Sequence, residues 1–201
     1  MIFYEPLRRD IRLLPFDPFK ALIAPRPIGW ISTLSRAGAI NLAPYSFFNA
    51  ICDNPPMMVF SSNGKKDSMT LAEETGEFVW NMATLALRDR MNATSAALPR
   101  GENEFEYAGL ETAPSRCVAP PRVAASPAAL ECKVSDVFRL KDMTGAMTEN
   151  YLVFGQVVGV HIDEAFIKDG MVDTAAMQPI ARCGYMDYAV VDEVFTLPRP
   201  T

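Results

Sequence analysis

The sequence predicts a mainly β fold with inserted helices, built as an antiparallel barrel rather than a doubly wound sheet. Three observations carry this. Five or more short segments rich in β-branched and aromatic residues follow one another, separated by turn signals. Only two or three helical patterns interrupt them. No G-x-G-x-x-G fingerprint follows any strand. At 201 residues, 49% hydrophobic and 21% charged, the chain reads as one globular domain over 1–201. A chain of this size buries roughly 70% of its unfolded surface, so it needs neither metal nor disulfide to hold a core.

Residues 1–27 carry Pro6, Pro15, Pro18, Pro25 and Pro27. They read as an extended lead-in with at most a helical turn at Pro18–Leu22. Ile28–Leu34 is β-rich, Ser35–Ala39 is a turn with Gly38 at positive φ, and Ile40–Asn49 resumes as a second strand. Asn54-Pro55-Pro56 breaks the chain before the apolar strand Met57–Ser62. Ser68–Thr75 reads as a helix stopped by Gly76, with Asp67 or Ser68 as N-cap or a Thr70/Glu73 capping box. Glu77–Met82 is a strand and Leu85–Ala97 a helix weakened by Asn92, Thr94 and Ser95. The segment 98–128, with five prolines, is long for a compact domain and reads as a functional or interface loop. Leu130–Leu140 and Tyr151–Ile162 are strands. Asp173 caps a helical turn through Met177, and Arg182–Phe195 is loop or edge strand.

Composition excludes several functions. The net charge of −5 repels phosphate backbones, so nucleic acid is not the expected partner. No apolar stretch is long enough to span a bilayer, and the first residues lack a basic, then apolar, leader. The expectation is therefore a cytoplasmic protein with no membrane contact. Cys52, Cys117, Cys132 and Cys183 match no zinc spacing and read as buried, reduced thiols. His161 is the only histidine. A His-rich zinc site is excluded within one chain, and a nucleophilic triad has a single candidate base. Chemistry on this chain points to a cofactor rather than to a side chain.

Three segments suit such a cofactor. Asn41-Leu42-Ala43-Pro44-Tyr45-Ser46-Phe47-Phe48-Asn49 is an apolar strand bent by proline, at an edge or bulge. Its unpaired backbone groups suit a flat heteroaromatic ring, with Phe47 or Phe48 beside it; an ordinary bulged core strand has the same pattern. Ser61–Ser68 enters a helix with hydroxyls, Lys65 and Lys66, which suits a phosphate; a solvated turn looks alike. Arg26, between Pro25 and Pro27, suits a phosphate or a ring face, or plain surface.

The order of these segments resembles the flavin reductase-like family of FMN-binding split barrels, which includes flavoredoxin. Arg26–Thr33, Asn41–Asn49, Pro55–Val59, Lys66–Ser68 and Thr75–Asn81 carry the resemblance. Phe105–Leu110, Pro127–Cys132, Gly155–His161 and Val172–Arg182 continue it. The resemblance implies a six-stranded Greek-key split β-barrel working as a homodimer, with FMN at or near the subunit interface. Ser32, Thr33, Asn41 and Ala43, Pro44, Tyr45, Ser46, Phe47 and Phe48 would frame the isoalloxazine and ribityl chain. Ser61, Ser62, Lys66 and Asp67 would hold the phosphate end, Asp67 mainly by ordering the loop, with Arg26 as a second contact. The implied activity is hydride transfer from NADH or NADPH to flavin N5, with no catalytic side chain required. The alternatives are an FMN electron carrier reduced by a partner protein and a non-redox ligand-binding module. The long 98–128 segment is the expected arm across the two-fold. One departure is Tyr185 after Gly184, where the family often has Gly-Gly; it bears on local loop shape, ring access and the substrate, and the resemblance would set Arg182 and Tyr185 towards the ring's open side.

Overall fold

The computed structural model describes residues 1–200. Along the chain lie α1 (Phe19–Leu22), β1 (Arg26–Pro27), β2 (Gly29–Leu34), β3 (Ile40–Tyr45), β4 (Phe48–Asp53), β5 (Pro56–Asn63), α2 (Asp67–Thr75) and β6 (Glu77–Asn81). Then follow α3 (Arg88–Ala93), α4 (Glu104–Tyr107), β7 (Thr112–Ala113), β8 (Arg122–Val123), β9 (Ala128–Lys141) and β10 (Met147–Ile162). The chain ends with β11 (Ile167–Lys168), β12 (Met171–Val172), α5 (Thr174–Met177), β13 (Ile180–Arg182) and β14 (Tyr188–Val190).

The main sheet has seven antiparallel strands in the order β3-β2-β6-β9-β10-β5-β4. The expected count was six, and no hydrogen-bonded ladder joins the two edge strands β3 and β4 among the described residues. They are joined covalently instead. Ser46 and Phe47 carry the chain from one edge to the other, so the single strand expected over Ile40–Asn49 is two strands with a break. Side chains close the curl: Tyr45 on β3 packs against Phe60 on β5 with ring centroids 4.9 Å apart. Ile31, Phe60, Phe78, Cys132 and Val153 fill the interior, and α2 plugs it with Met69 and Ala72. Gly155 makes room there, since a Cβ at that position would lie 2.4 Å from the Phe78 ring.

The opposite face of the sheet carries a second core. Trp30 and Leu42 meet Leu87 and Met91, then Phe105, Leu110 and Val123. Much of the 98–128 segment thus lies on its own barrel rather than standing free as an arm. Ser32 Oγ donates to the Pro121 carbonyl at 2.6 Å, and Asn81 Oδ1 accepts from the Val123 amide at 2.8 Å.

A buried carboxylate pins the same segment. Glu131 on β9 has no exposed surface. It accepts from the Arg116, Cys117 and Val118 amides at 2.8, 2.5 and 3.1 Å, and His161 Nε2 bonds its Oε1. Burial opposes its ionisation, but the bonds from His161 and the three amides outweigh that and hold the carboxyl below its ordinary range. His161 near the end of β10 thus has a structural partner.

Local chemistry explains the remaining elements. Gly38 and Gly76 adopt φ of 89° and 75°, as the turn and the α2 terminus require. The N-cap of α2 is Lys66, with no side-chain cap bond, so neither Asp67, Ser68 nor Thr70 plays that part. Asp173 does cap α5, accepting from the Ala176 amide. Helix α3 stops at Ala93, short of the expected Ala97, where Thr94 and Ser95 hydroxyls donate to the Met91 and Asn92 carbonyls. Of the cysteines, all free, only Cys132 is buried; Cys52 and Cys117 are exposed and Cys183 is half-buried. No helix among the described residues is long and apolar enough to cross a membrane.

Candidate functional site

Strand β3 is an edge because no strand among the described residues pairs with its outer side. The Leu42 amide on that side donates to Glu104 Oε2 at 3.0 Å. Alternation along the strand puts Pro44 on the same side, where its missing N–H costs no ladder bond. Beyond this edge opens a cleft of about 880 Å³. Its floor is Asn41, Ala43, Pro44, Tyr45, Ser46 and Phe47. One wall is Ser61, Asn63, Lys66, Asp67 and Ser68, where β5 passes into α2. The other wall is the 94–98 stretch with Arg100 and Glu104, and Phe19, Lys20 and Asn150 complete it.

Nine residues singled out in the sequence therefore meet here: Asn41, Ala43, Pro44, Tyr45, Ser46, Phe47, Ser61, Lys66 and Asp67. The others lie elsewhere. Ser32 is spent on Pro121. Thr33 Oγ1 accepts from Asn41 Nδ2 at 3.3 Å and so sits behind the floor. Phe48 turns into the barrel and stacks on Trp80, centroids 5.9 Å apart. Ser62 is buried and donates to the Gly64 carbonyl at 2.8 Å, which shapes the loop from inside. Arg26, 7% exposed, donates to the carbonyls of Lys20, Ile23 and Cys183. It braces α1 beneath Lys20 and reaches the cleft only through the Phe47 ring, 5.9 Å from its guanidinium. Arg182 and Tyr185 are not in the lining; Arg182 donates to the Tyr185 carbonyl and lies 4.5 Å over Tyr188.

The cleft sets a helix entrance and cationic side chains beside a floor of mixed polar and apolar residues. The first amides of α2 have no intrahelical acceptors and carry the positive end of the helix dipole. Lys66 Nζ, at the same place, makes no ion pair among the described residues. Arg100 Nε lies 3.1 Å from Asp67 Oδ1. Burial raises the Glu104 carboxyl above its ordinary range, against the Leu42 amide bond. Burial also raises the Tyr45 phenol. Its hydroxyl is buried beside the Ser62 and Ser68 hydroxyls. Asn41 Nδ2, by contrast, is held by Ser68 Oγ at 2.7 Å.

Sequence reasoning missed Phe19, Lys20, Asn63, Thr94–Leu98, Arg100, Glu104 and Asn150. Asn63 and Asn150 face each other across the β5–β10 ladder, a register no local pattern reveals. Glu104 had a signal: a glutamate at the head of a short helix capped by Asn103. Among the described residues no cluster of His, Cys, Asp or Glu is arranged to hold a metal.

Known proteins share this architecture. The chain is 36% identical over 184 residues to an uncharacterised protein of Halalkalibacterium halodurans, covering 89% of this chain and 88% of that protein. It is 34% identical to the uncharacterised YwrF of Bacillus subtilis, covering 92% and 94%. Among solved structures, nitrilotriacetate monooxygenase component B from Bacillus cereus superposes with a TM-score of 0.88 at 29% identity, covering 98% of both chains. The 2-nitrobenzoate 2-nitroreductase of Pseudomonas fluorescens gives 0.82 at 27%, covering 94% and 92%. Flavoredoxin of Desulfovibrio vulgaris shares the fold at 20% identity, with a TM-score of 0.76 over 86% and 90%. The family model described as the flavin reductase like domain matches residues 22–177. With an uncapped, lysine-flanked helix entrance beside a proline-interrupted edge strand, in a split barrel, the chain belongs to the flavin reductase-like family.

Proposed function

We propose that the protein is an FMN-binding oxidoreductase whose cleft holds the flavin and admits a nicotinamide hydride donor. The observation that carries this is the convergence on one cleft of the uncapped α2 entrance, the unpaired Lys66 and the Ala43–Phe47 stretch at the β3 edge. The donor set fits FMN. The α2 amides and Lys66 suit a phosphate dianion, Ser61 and Asn63 suit ribityl hydroxyls, and the Ala43–Phe47 floor suits an isoalloxazine ring. When bound, FMN supplies the redox chemistry through hydride acceptance at N5.

This chain's residues bind and orient. Lys66 and the helix amides fix the phosphate, and the Pro44-bearing edge sets the ring plane. The cations lining the cleft, Lys20, Lys66 and Arg100, also favour the negative charge that grows on the ring in the reduced form. No side chain has to move a proton for the hydride step. The reading includes a homodimer, supported by apolar surface left open along the lead-in at Ile2, Phe3, Leu7, Ile11 and Leu13.

Mixing the FMN-loaded protein with NADH and with NADPH under anaerobic conditions tests the activity. Bleaching of the flavin absorbance by at least one of them is expected. A flavin that neither donor bleaches is the signature of an electron carrier instead.

A further inference from the structure

We infer that Arg26, Gly184 and Tyr185 clamp α1 in place as a wall of the cleft, and so decide how large a molecule reaches a flavin on its floor. The inference rests on the flavin reading above and gives a positioning role to residues that do not line the cleft. Helix α1 contributes Phe19 and Lys20 to the lining. It is four residues long, and a helix that short does not hold itself together in water. None of its residues is buried, and Phe19 and Leu22 are 53% and 76% exposed. Apolar burial therefore contributes little to its position.

The contacts that do hold α1 converge on the corner between β13 and β14. Arg26 is buried and donates to the Lys20 and Ile23 carbonyls at the end of α1. Its Nη2 donates to the Cys183 carbonyl at 2.7 Å. One guanidinium thus ties helix to corner through main-chain atoms on both sides. A Cβ on Gly184 would lie 2.3 Å from the Ala21 Cβ and 2.6 Å from its Cα, so the helix rests directly on the glycine. Tyr185 follows at a φ of 53°, a region that side chains with a Cβ enter at a cost. Its ring meets Phe16, just ahead of α1, edge-on with centroids 6.0 Å apart. On the cleft side, the Arg26 guanidinium and Lys20 Nζ each lie 5.9 Å from the Phe47 ring centre, so clamp and wall close on one floor residue. A wall without a core of its own moves when its clamp is released. The opening it guards lies at Phe47.

The test releases the clamp without altering the lining. Gly184→Ala drives a methyl group into Ala21, at a backbone conformation outside the left-handed region. Tyr185→Gly suits its left-handed backbone and removes the ring from Phe16. Circular dichroism checks folding, and Tyr185→Gly carries the test alone where the added methyl group prevents it. In flavin-free protein, the Ala21, Leu22 and Ile23 amides close the α1 turn. Their exchange is expected to quicken about tenfold or more in both variants, while α2 amides keep wild-type rates. FMN affinity is expected to stay within about twofold. Light-reduced, FMN-loaded protein is then reoxidised by benzoquinone or by the bulkier phenanthrenequinone, both neutral. Each quinone takes two electrons and two protons and becomes its hydroquinone, while the flavin returns to the oxidised form. The rate with the bulky quinone relative to the small one is expected to rise about threefold or more in the variants. Unchanged α1 exchange in the folded variants overturns the clamp. Faster exchange with an unchanged quinone ratio overturns the selection by size. Wild-type protein that binds no flavin defeats the flavin reading and the size selection with it, while the exchange rates still decide the clamp.

Discussion

Glu131→Ala is expected to cost on the order of 3–5 kcal/mol of folding stability, the usual consequence of stripping one partner from a buried charged cluster. The substitution leaves the Arg116, Cys117 and Val118 amides and His161 without their shared acceptor. The carboxylate fits because Gly159 lies across from it, where a Cβ would come within 3.2 Å of the Glu131 carboxyl carbon. In a chain of this size the loss corresponds to a fall of roughly 10 °C in melting temperature. It is expected to release the 114–123 stretch first, read as faster amide exchange there.

The same residue sets a pH dependence. The folded Glu131 carboxyl titrates below its unfolded value of about 4.3. The folded state therefore prefers the ionised form. That contribution is complete above the unfolded value and fades as pH falls through the folded one. Wild type is expected to lose stability relative to Glu131→Gln as pH drops below about 4.3. Melting curves across that range check it, and parallel curves for the two proteins contradict it.

Lys66→Ala is the second large effect. The side chain caps nothing and pairs with nothing among the described residues, so the fold is expected to be unchanged. A charge-assisted bond to phosphate is worth about 1.5–3 kcal/mol, so FMN affinity is expected to fall roughly 10- to 150-fold. Riboflavin affinity is expected to stay put. Ser62→Ala acts differently, because its hydroxyl holds Gly64 rather than facing the cleft; a smaller loss, with both flavins affected alike, follows from a looser loop. Fluorescence titrations of the two variants separate a ligand contact from a loop support.

Much of this was legible in the chain. Local punctuation located the elements: Gly38 and Gly76 at positive φ, the Asp173 cap, and Pro44 on an edge strand. That Asn41 to Phe47 and Ser61, Lys66 and Asp67 share one cleft was legible because they follow each other closely in the chain. Residues brought in by long-range packing were not. Arg100, Glu104 and Asn150 reach the cleft across the fold, and no spacing rule encodes that. Arg26 was misleading for a physical reason. A proline-framed arginine looks like a ligand fork, but here three main-chain carbonyls from α1 and the loop after β13 consume it. The break at Ser46–Phe47 was hidden because the residues on both sides have strand character. Only the two-edged sheet shows that they belong to opposite ends of it.

The central claim is that the floor from Ala43 to Phe47 and the entrance of α2 together seat one FMN. A crystal structure of the protein grown with FMN tests it most directly. The account predicts phosphate density within hydrogen-bonding distance of Lys66 Nζ and the first amides of α2, and the ring along the β3 edge. Flavin density away from that cleft, or an empty cleft at saturating FMN, contradicts it.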